Sequence, residues 1–267
     1  MAFCLQAENY PWLPKYDRNQ SIGKRFSVPF PYQRVKMKTG SFGDWIRNLP
    51  LKPENARIRL YTGKLLDKQD LHAAVLDLDL PAGNYLRGPS IAPRLLSEYL
   101  FSIGRYWEIE FYYTEDRRID FNLWRTGARP VLYGDHLRWN DTEKEDSSYD
   151  NFRRYLDYCL RSLSDGSLEF RFAKSPKLRD LQIGDIFLSG GYSGHAVMVV
   201  DMAKNTSTGE KIFLLAQGFT PTQEFHILKN TRDHILDPWY SLKDGEKLLT
   251  PECVFEAGDL MRVVEKN

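Results

Sequence analysis

The chain has 267 residues, of which 42% are apolar and 13% aromatic, enough to fill a substantial core, and this excludes disordered and collagen-like classes. Its 37 basic and 36 acidic side chains leave a net charge of +1 with no long block of either sign, which argues against a nucleic-acid backbone or an anionic membrane as the main partner. No apolar run approaches the roughly 20 residues that span a bilayer, so no transmembrane segment is expected.

Met1 to Ala7 resemble the tail of an export signal that lacks its charged and apolar regions, and an ordinary amino terminus reads the same way. A periplasmic or secreted protein is expected, with a cytoplasmic one as the alternative. Residues 8–34 carry Pro11, Pro14, Pro29 and Pro31 among aromatic side chains, the composition of an extended segment wrapped over a body. Residues 1–34 therefore read as an extended amino-terminal segment and residues 35–267 as one domain. Ser41 with Asp44 three positions on predicts a capped helix that Pro50 and Pro53 stop. Arg57 to Tyr61 alternates as a strand. Leu71 to Leu80 is apolar on both faces, as a central strand would be.

Ser90 reads as the cap of a helix from Ile91 to about Ser102, with Pro93 tolerated in the first turn. Tyr106 to Tyr113 predicts an aromatic strand, and residues 120–139 read as irregular structure leading to a strand or hairpin. The acidic stretch Asp141 to Asp150 is a solvated loop and a possible internal boundary. Asn151 to Leu163 carries a helical apolar stripe. Ile183–Ser189, His195–Met202, Ile212–Gln217 and Phe225–Leu228 then follow as short strands separated by turn signals. Helices first and consecutive strands later predict an α+β fold with an antiparallel meander sheet packed on helices.

The segment Gly184-Asp185-Ile186-Phe187-Leu188-Ser189-Gly190-Gly191-Tyr192-Ser193-Gly194-His195 places one imidazole at the mouth of a buried apolar strand. Its glycines permit a tight, uncrowded turn, and His195 reads either as a chemical group or as a strand-edge histidine satisfied by a carbonyl. Hydrolysis of an amide without metal needs a nucleophile, a base and a group that orients the base. A nucleophile at a helix amino terminus, before a sheet that carries the base, meets that need. The helix at Ile91 precedes the Gly-His strand and the strand ending in Gln217, which is that order.

Ser41-Phe42-Gly43-Asp44-Trp45-Ile46-Arg47-Asn48-Leu49-Pro50-Leu51-Lys52-Pro53, His72-Ala73-Ala74-Val75-Leu76-Asp77-Leu78-Asp79, Gly194-His195-Ala196-Val197-Met198-Val199-Val200-Asp201-Met202-Ala203 and Phe213-Leu214-Leu215-Ala216-Gln217 resemble motifs of a bacterial family, domain of unknown function 4846, over roughly Phe26 to Val264. Gly184-Asp185-Ile186-Phe187 and Gly194-His195 with the following strand also resemble NlpC-like papain-fold hydrolases, which cleave cell-wall peptides. That second resemblance implies a papain-like core with His195 as base and Gln217 as its orienter. The resemblance to domain of unknown function 4846 implies a cysteine just before the helix that ends in Arg-Leu-x-x-Glu-Tyr-Leu. Here Arg94-Leu95-Leu96-Ser97-Glu98-Tyr99-Leu100 sets the register so that Gly88 falls in that slot.

With no thiol at Gly88, Ser90 is the remaining nucleophile candidate, and helix capping is its alternative role. Cys4, Cys159 and Cys253 lack metal-like spacing, and Cys159 and Cys253 read as buried fillers. Gln217 has the alternative of bonding a loop backbone. Trp45 and Arg47 offer a flat apolar surface and a fixed cation, which suit a carboxylated ligand, although helix packing uses such residues equally well; with Tyr192 and His195 they are the candidates for holding a peptide or glycan fragment. His72 lies on the opposite strand face from Asp77 and Asp79, which read as loop caps in preference to cation ligands. Asp201 reads as a cap for the turn at Asn205. His136, His226 and His234 lack zinc-like spacing, and His226 and His234 read as surface residues. No cofactor is expected. A peptide hydrolase-like protein without its thiol, or a binding protein that holds a peptide or cell-wall fragment in the same cleft, are the two functional expectations.

Overall fold

The computed structural model describes residues 10–114, 117–134, 136–162, 172–174, 177–190 and 194–263. Its helices are α1 (Ile22–Arg25), α2 (Phe42–Arg47), α3 (Ile91–Ser102), α4 (Phe121–Arg125) and α5 (Tyr149–Ser162). The strands are β1 (Tyr32–Arg34), β2 (His72–Val75), β3 (Glu110–Thr114), β4 (Arg117–Asp120), β5 (Ala128–Tyr133), β6 (His136–Asp141), β7 (Phe172–Lys174), β8 (Ile186–Ser189), β9 (His195–Asn205), β10 (Lys211–Gln217), β11 (His226–Leu228), β12 (Tyr240–Ser241), β13 (Leu248–Leu249), β14 (Val254–Phe255) and β15 (Leu260–Val263).

The fold is α+β. One antiparallel sheet runs in the order β2-β11-β10-β9-β8-β15-β7, with β1 added to β9 and β12 to β10. Strands β8 to β11 are successive neighbours, the meander that the turn signals predict. Apolar residues follow one another without alternation along β9 and β10 because both faces of these strands are covered, and nearly every residue in them is buried. Helices α1 and α2 and the 3-10 turn Gly88–Ser90 pack against β9. A continuous core extends from Tyr10 to Leu260.

Helix α3 occupies the range its sequence predicts, and α5 begins two residues earlier than expected. Ser41 Oγ accepts the Asp44 amide at 3.3 Å, and the Asp44 carboxylate in turn accepts the Gly40 amide at 2.9 Å. Five readings are corrected. The Leu71–Leu80 run is an end strand, not a central one: β2 covers only His72–Val75 beside β11, and its apolar continuation meets Leu51 through an isolated bridge at Leu76. Arg57 to Tyr61 forms isolated bridges at Arg59 and Leu60, not a strand. Residues 106–108 form a 3-10 turn ahead of β3, and Asp120 caps a helix, α4, by accepting the Asn122 amide at 2.7 Å. The proline-rich segment is no mere surface wrap, since Tyr10 and Ile22 are core residues and Tyr32–Arg34 extends the sheet.

Two ion networks tie these layers together, one buried around Asp201 and one running from buried Glu98 to exposed Asp79. Asp201, fully buried in β9, does not cap a turn; its carboxylate accepts Arg34 Nε and Arg47 Nε, each at 2.7 Å, and the Met202 amide at 2.8 Å. Glu98 on α3 accepts Arg153 Nη1 of α5 at 2.8 Å, and Asp79 bridges Arg94 and Arg153 at 2.6 Å each. Asp79 is therefore an ion-pair partner and not a loop cap. Burial pushes the Glu98 carboxyl above its ordinary value, partly opposed by Arg94 and Arg153. Removing one member of a buried pair leaves its partners uncompensated. Asp201→Asn is expected to lower unfolding free energy by about 3 kcal/mol in urea titration, and a loss within about 0.5 kcal/mol would contradict the structural role given to Asp201.

Candidate functional site

Strand order brings His195 and Gln217 together. His195 opens β9 and Gln217 closes β10, and antiparallel neighbours place the start of one beside the end of the other. Gln217 also pairs directly with His226 across β10 and β11. His195 Nε2 stands 2.8 Å from Gln217 Oε1, Gln217 Nε2 stands 2.5 Å from Glu252 Oε2 and 3.2 Å from His226 Nε2, and His226 Nδ1 stands 2.8 Å from the Glu224 carbonyl.

The proton positions follow from the groups that accept only. The Glu252 carboxylate takes an N–H from Gln217, which turns the amide oxygen toward His195. His195 Nε2 must then donate, leaving Nδ1 with a bare lone pair in the neutral ring. From the other end, the Glu224 carbonyl requires His226 Nδ1–H, so His226 Nε2 is bare and accepts the second N–H of Gln217. Both ends give the same amide orientation. Burial pulls His226 down from 6.5 to about 4, against the bond to the Glu224 carbonyl. Burial also lowers His195, opposed by the Gln217 bond and the Glu252 charge.

The bare Nδ1 faces Gly88. A Cβ on Gly88 would stand 3.6 Å from His195 Nδ1, 3.1 Å from the Gly218 carbonyl and 3.3 Å from the Ala196 amide nitrogen. Gly88 is not among the glycines at positive φ, so its backbone does not itself demand glycine. His195 is 9% exposed, its ring edge-on to Phe219 at 4.6 Å and stacked on Phe255 at 5.9 Å between centroids. Arg87, Ile91, Gly218, Arg94 and Gln223 border a void of about 10 Å³. Arg94 Nε and Gln223 Oε1 are both buried there without a hydrogen-bond partner.

Trp45 and Arg47 are occupied in packing and ion pairing. Trp45 is 3% exposed and packs with Tyr10, Trp12, Phe42 and Tyr99, so it is a core residue and not a ligand platform. Arg47 is committed to Asp201, to the Val35 carbonyl at 2.9 Å and to the Met202 carbonyl at 3.4 Å, which leaves it no role in holding a carboxylated ligand. Tyr192 lies outside the described residues. Ser90 is fully buried within helical backbone, because the Gly88–Ser90 turn runs straight into α3, and its side chain makes no cap hydrogen bond. Its amide donates to the Arg87 carbonyl at 3.0 Å. His226, read as a surface residue, is 2% exposed inside the network, and a lone polar residue in the apolar run Phe225–Leu228 was the available signal. Glu252, Phe219 and Phe255 carried no such signal. His136 and His234 are exposed. Among the described residues no group of three or more His, Cys, Asp or Glu could hold a metal, and no helix is long and apolar enough to cross a membrane.

The His226 value sets a pH dependence. Between pH 6.5 and about 4 the unfolded chain binds a proton at this residue that the folded chain refuses, so stability falls as pH drops through that window. The loss expected from His226 is about 3 kcal/mol between pH 7 and pH 4. Urea unfolding of His226→Gln, which has no ring to titrate, should show a loss smaller by that amount than the wild type over the same range. Equal slopes in the two proteins would contradict a buried, neutral His226.

Comparison with known proteins gives one match, and neither a curated protein nor a solved structure matches the chain. The match is to the family model described as domain of unknown function 4846, which covers residues 22–262 and so includes Gly88, His195, Gln217, His226 and Glu252. The chain belongs to the domain of unknown function 4846 family.

Proposed function

We propose that the chain is a hydrolase-like scaffold of papain type that has lost its nucleophile and holds a peptide or cell-wall fragment without cleaving it. The observation that carries this reading is the bare His195 Nδ1 directed at Gly88, with Nε2 engaged by Gln217. A thiol hydrolase needs a base whose free nitrogen looks at the first residue of a helix, and an amide that fixes the opposite nitrogen. Helix α3, β9 and β10 supply that order here. Glycine supplies no group that can attack a carbonyl, so the chemistry stops at the base.

A neutral imidazole nitrogen with no partner among the described residues accepts a hydrogen bond. The ligand group that suits it is an N–H or O–H donor, such as a backbone amide of a peptide, reaching the ring past half-buried Phe219. A cell-wall ligand would place the protein in the bacterial envelope. The competing reading, hydrolysis with Ser90 as nucleophile, shares the same base and differs in expecting a covalent adduct.

Restoring the thiol tests the proposal. In Gly88→Cys the added Cβ needs its neighbours to yield by a few tenths of an ångström, and the introduced thiol would meet His195 Nδ1 as a thiolate–imidazolium pair. Alkylation by iodoacetamide, followed at that peptide by mass spectrometry, should give an apparent thiol pKa below about 7, rising toward about 8.5 in Gly88→Cys/His195→Ala. The wild type should stay unmodified by a fluorophosphonate. An introduced thiol that titrates near 8.5 regardless of His195 would reject the papain-type geometry, and a fluorophosphonate adduct on Ser90 would replace the binding reading with hydrolysis.

A further inference from the structure

At the end of β9 remote from His195, about 30 Å along the strand, the chain turns into β10 and the register sets Lys204 directly opposite Lys211. Like charges facing one another across strands are unfavourable unless an anion lies near them. The Lys211 ammonium donates to the carbonyls of Arg179 at 2.5 Å and Leu181 at 3.2 Å, and keeps a third N–H. Burial pulls Lys211 below its ordinary value; Asp180 opposes this and Lys204 adds to it. Lys204 and Lys243 have no carboxylate in ion-pair range among the described residues.

These lysines rim a groove of about 550 Å³ lined, among the described residues, by four cationic side chains and two acids, Glu210 and Asp244; Asp180, beside the groove, pairs with Arg179 at 3.8 Å, so the lysine charge is still in excess. Its floor is apolar: Phe213 and Leu181 are buried and Leu242 is half-buried. Gly209 supplies the φ of +81° that the turn needs, and the Lys204 stem lies along it, its Cε in ordinary contact range at 3.7 Å from where a Cβ would stand. The volume falls within the range of small-molecule sites, about 300–1,000 Å³.

We propose that this groove binds a small amphiphilic anion, its carboxylate, phosphate or sulfonate head held by Lys204, Lys211 and Lys243 and its apolar body on Phe213, Leu181 and Leu242. A concave floor formed by buried side chains suits a free molecule and not the flat surface of a bilayer. The cross-strand lysine pair is the stability given up for the charge that the head needs.

Fluorescence titration of the full chain with 1-anilinonaphthalene-8-sulfonate, followed by competition, tests this. Saturable binding is expected, displaced by dodecyl phosphate but not by dodecanol or by phosphatidylglycerol vesicles. Lys204→Glu/Lys243→Glu should weaken binding by about tenfold or more while melting no lower than the wild type, since a carboxylate opposite Lys211 relieves the repulsion. Phe30→Ser/Ile235→Ser, which removes two side chains 97% and 92% exposed elsewhere on the surface, should leave binding unchanged. Unchanged affinity in the lysine variant, equal displacement by dodecanol, displacement by vesicles alone, or loss of binding in the Phe30 and Ile235 variant would each overturn the proposal.

Discussion

The side-chain amide of Gln217 has one orientation that satisfies Glu252, His226 and His195 together, and the chemistry available at this site depends on it. Reversed, the amide would set its oxygen against the Glu252 carboxylate and its N–H groups against the Nε2–H of His195. A buried polar group left without a partner costs about 1–3 kcal/mol, and this amide has three neighbours at stake in a fully buried position. Glu252 and the Glu224 carbonyl, which accept only, act from opposite ends of the same chain of bonds. The outcome is a neutral His195 with its unprotonated nitrogen toward Gly88.

The sheet makes this possible because β9 and β10 are covered on both faces and held in register by side chains far from the histidine. Asp201 draws Arg34 of β1 and Arg47 of α2 onto β9, which seats the amino-terminal segment and the first helices on that strand. Arg94 and Arg153, through Asp79 and Glu98, lock α3 to α5 and so place the Gly88–Ser90 turn against the beginning of β9. The hairpin of β13 and β14 delivers Glu252 and Phe255 from the far end of the chain. Each of the two ends of β9 carries a different candidate site, one built on a neutral imidazole and one on lysine charge.

Much of this was legible in the residues. Helix α3 follows from a tolerated Pro93 and an apolar run, and the meander follows from β-branched strands punctuated by glycines. The meeting of His195 and Gln217 was legible because both stand at strand ends that an antiparallel pairing brings together. The roles of Trp45 and Arg47 were not, since an indole and a guanidinium suit a ligand and a core equally well. Tyr10 and Asp201, distant in sequence, decided for packing. His226 looked peripheral because burial of a short strand depends on its neighbours, here β2 and β10. Glu252 lies in a turn with no periodicity, and nothing local marks it. Ser90 misled as a cap because a 3-10 turn ahead of α3 had already drawn it into helical backbone.

The most direct measurement of the central claim is a long-range proton–nitrogen NMR correlation of the histidine rings at neutral pH, assigned with His195→Ala and His226→Gln. His195 is expected to be neutral, protonated at Nε2 and bare at Nδ1, and His226 neutral with the opposite tautomer. An imidazolium at His195, or a His195 protonated at Nδ1, would contradict that claim.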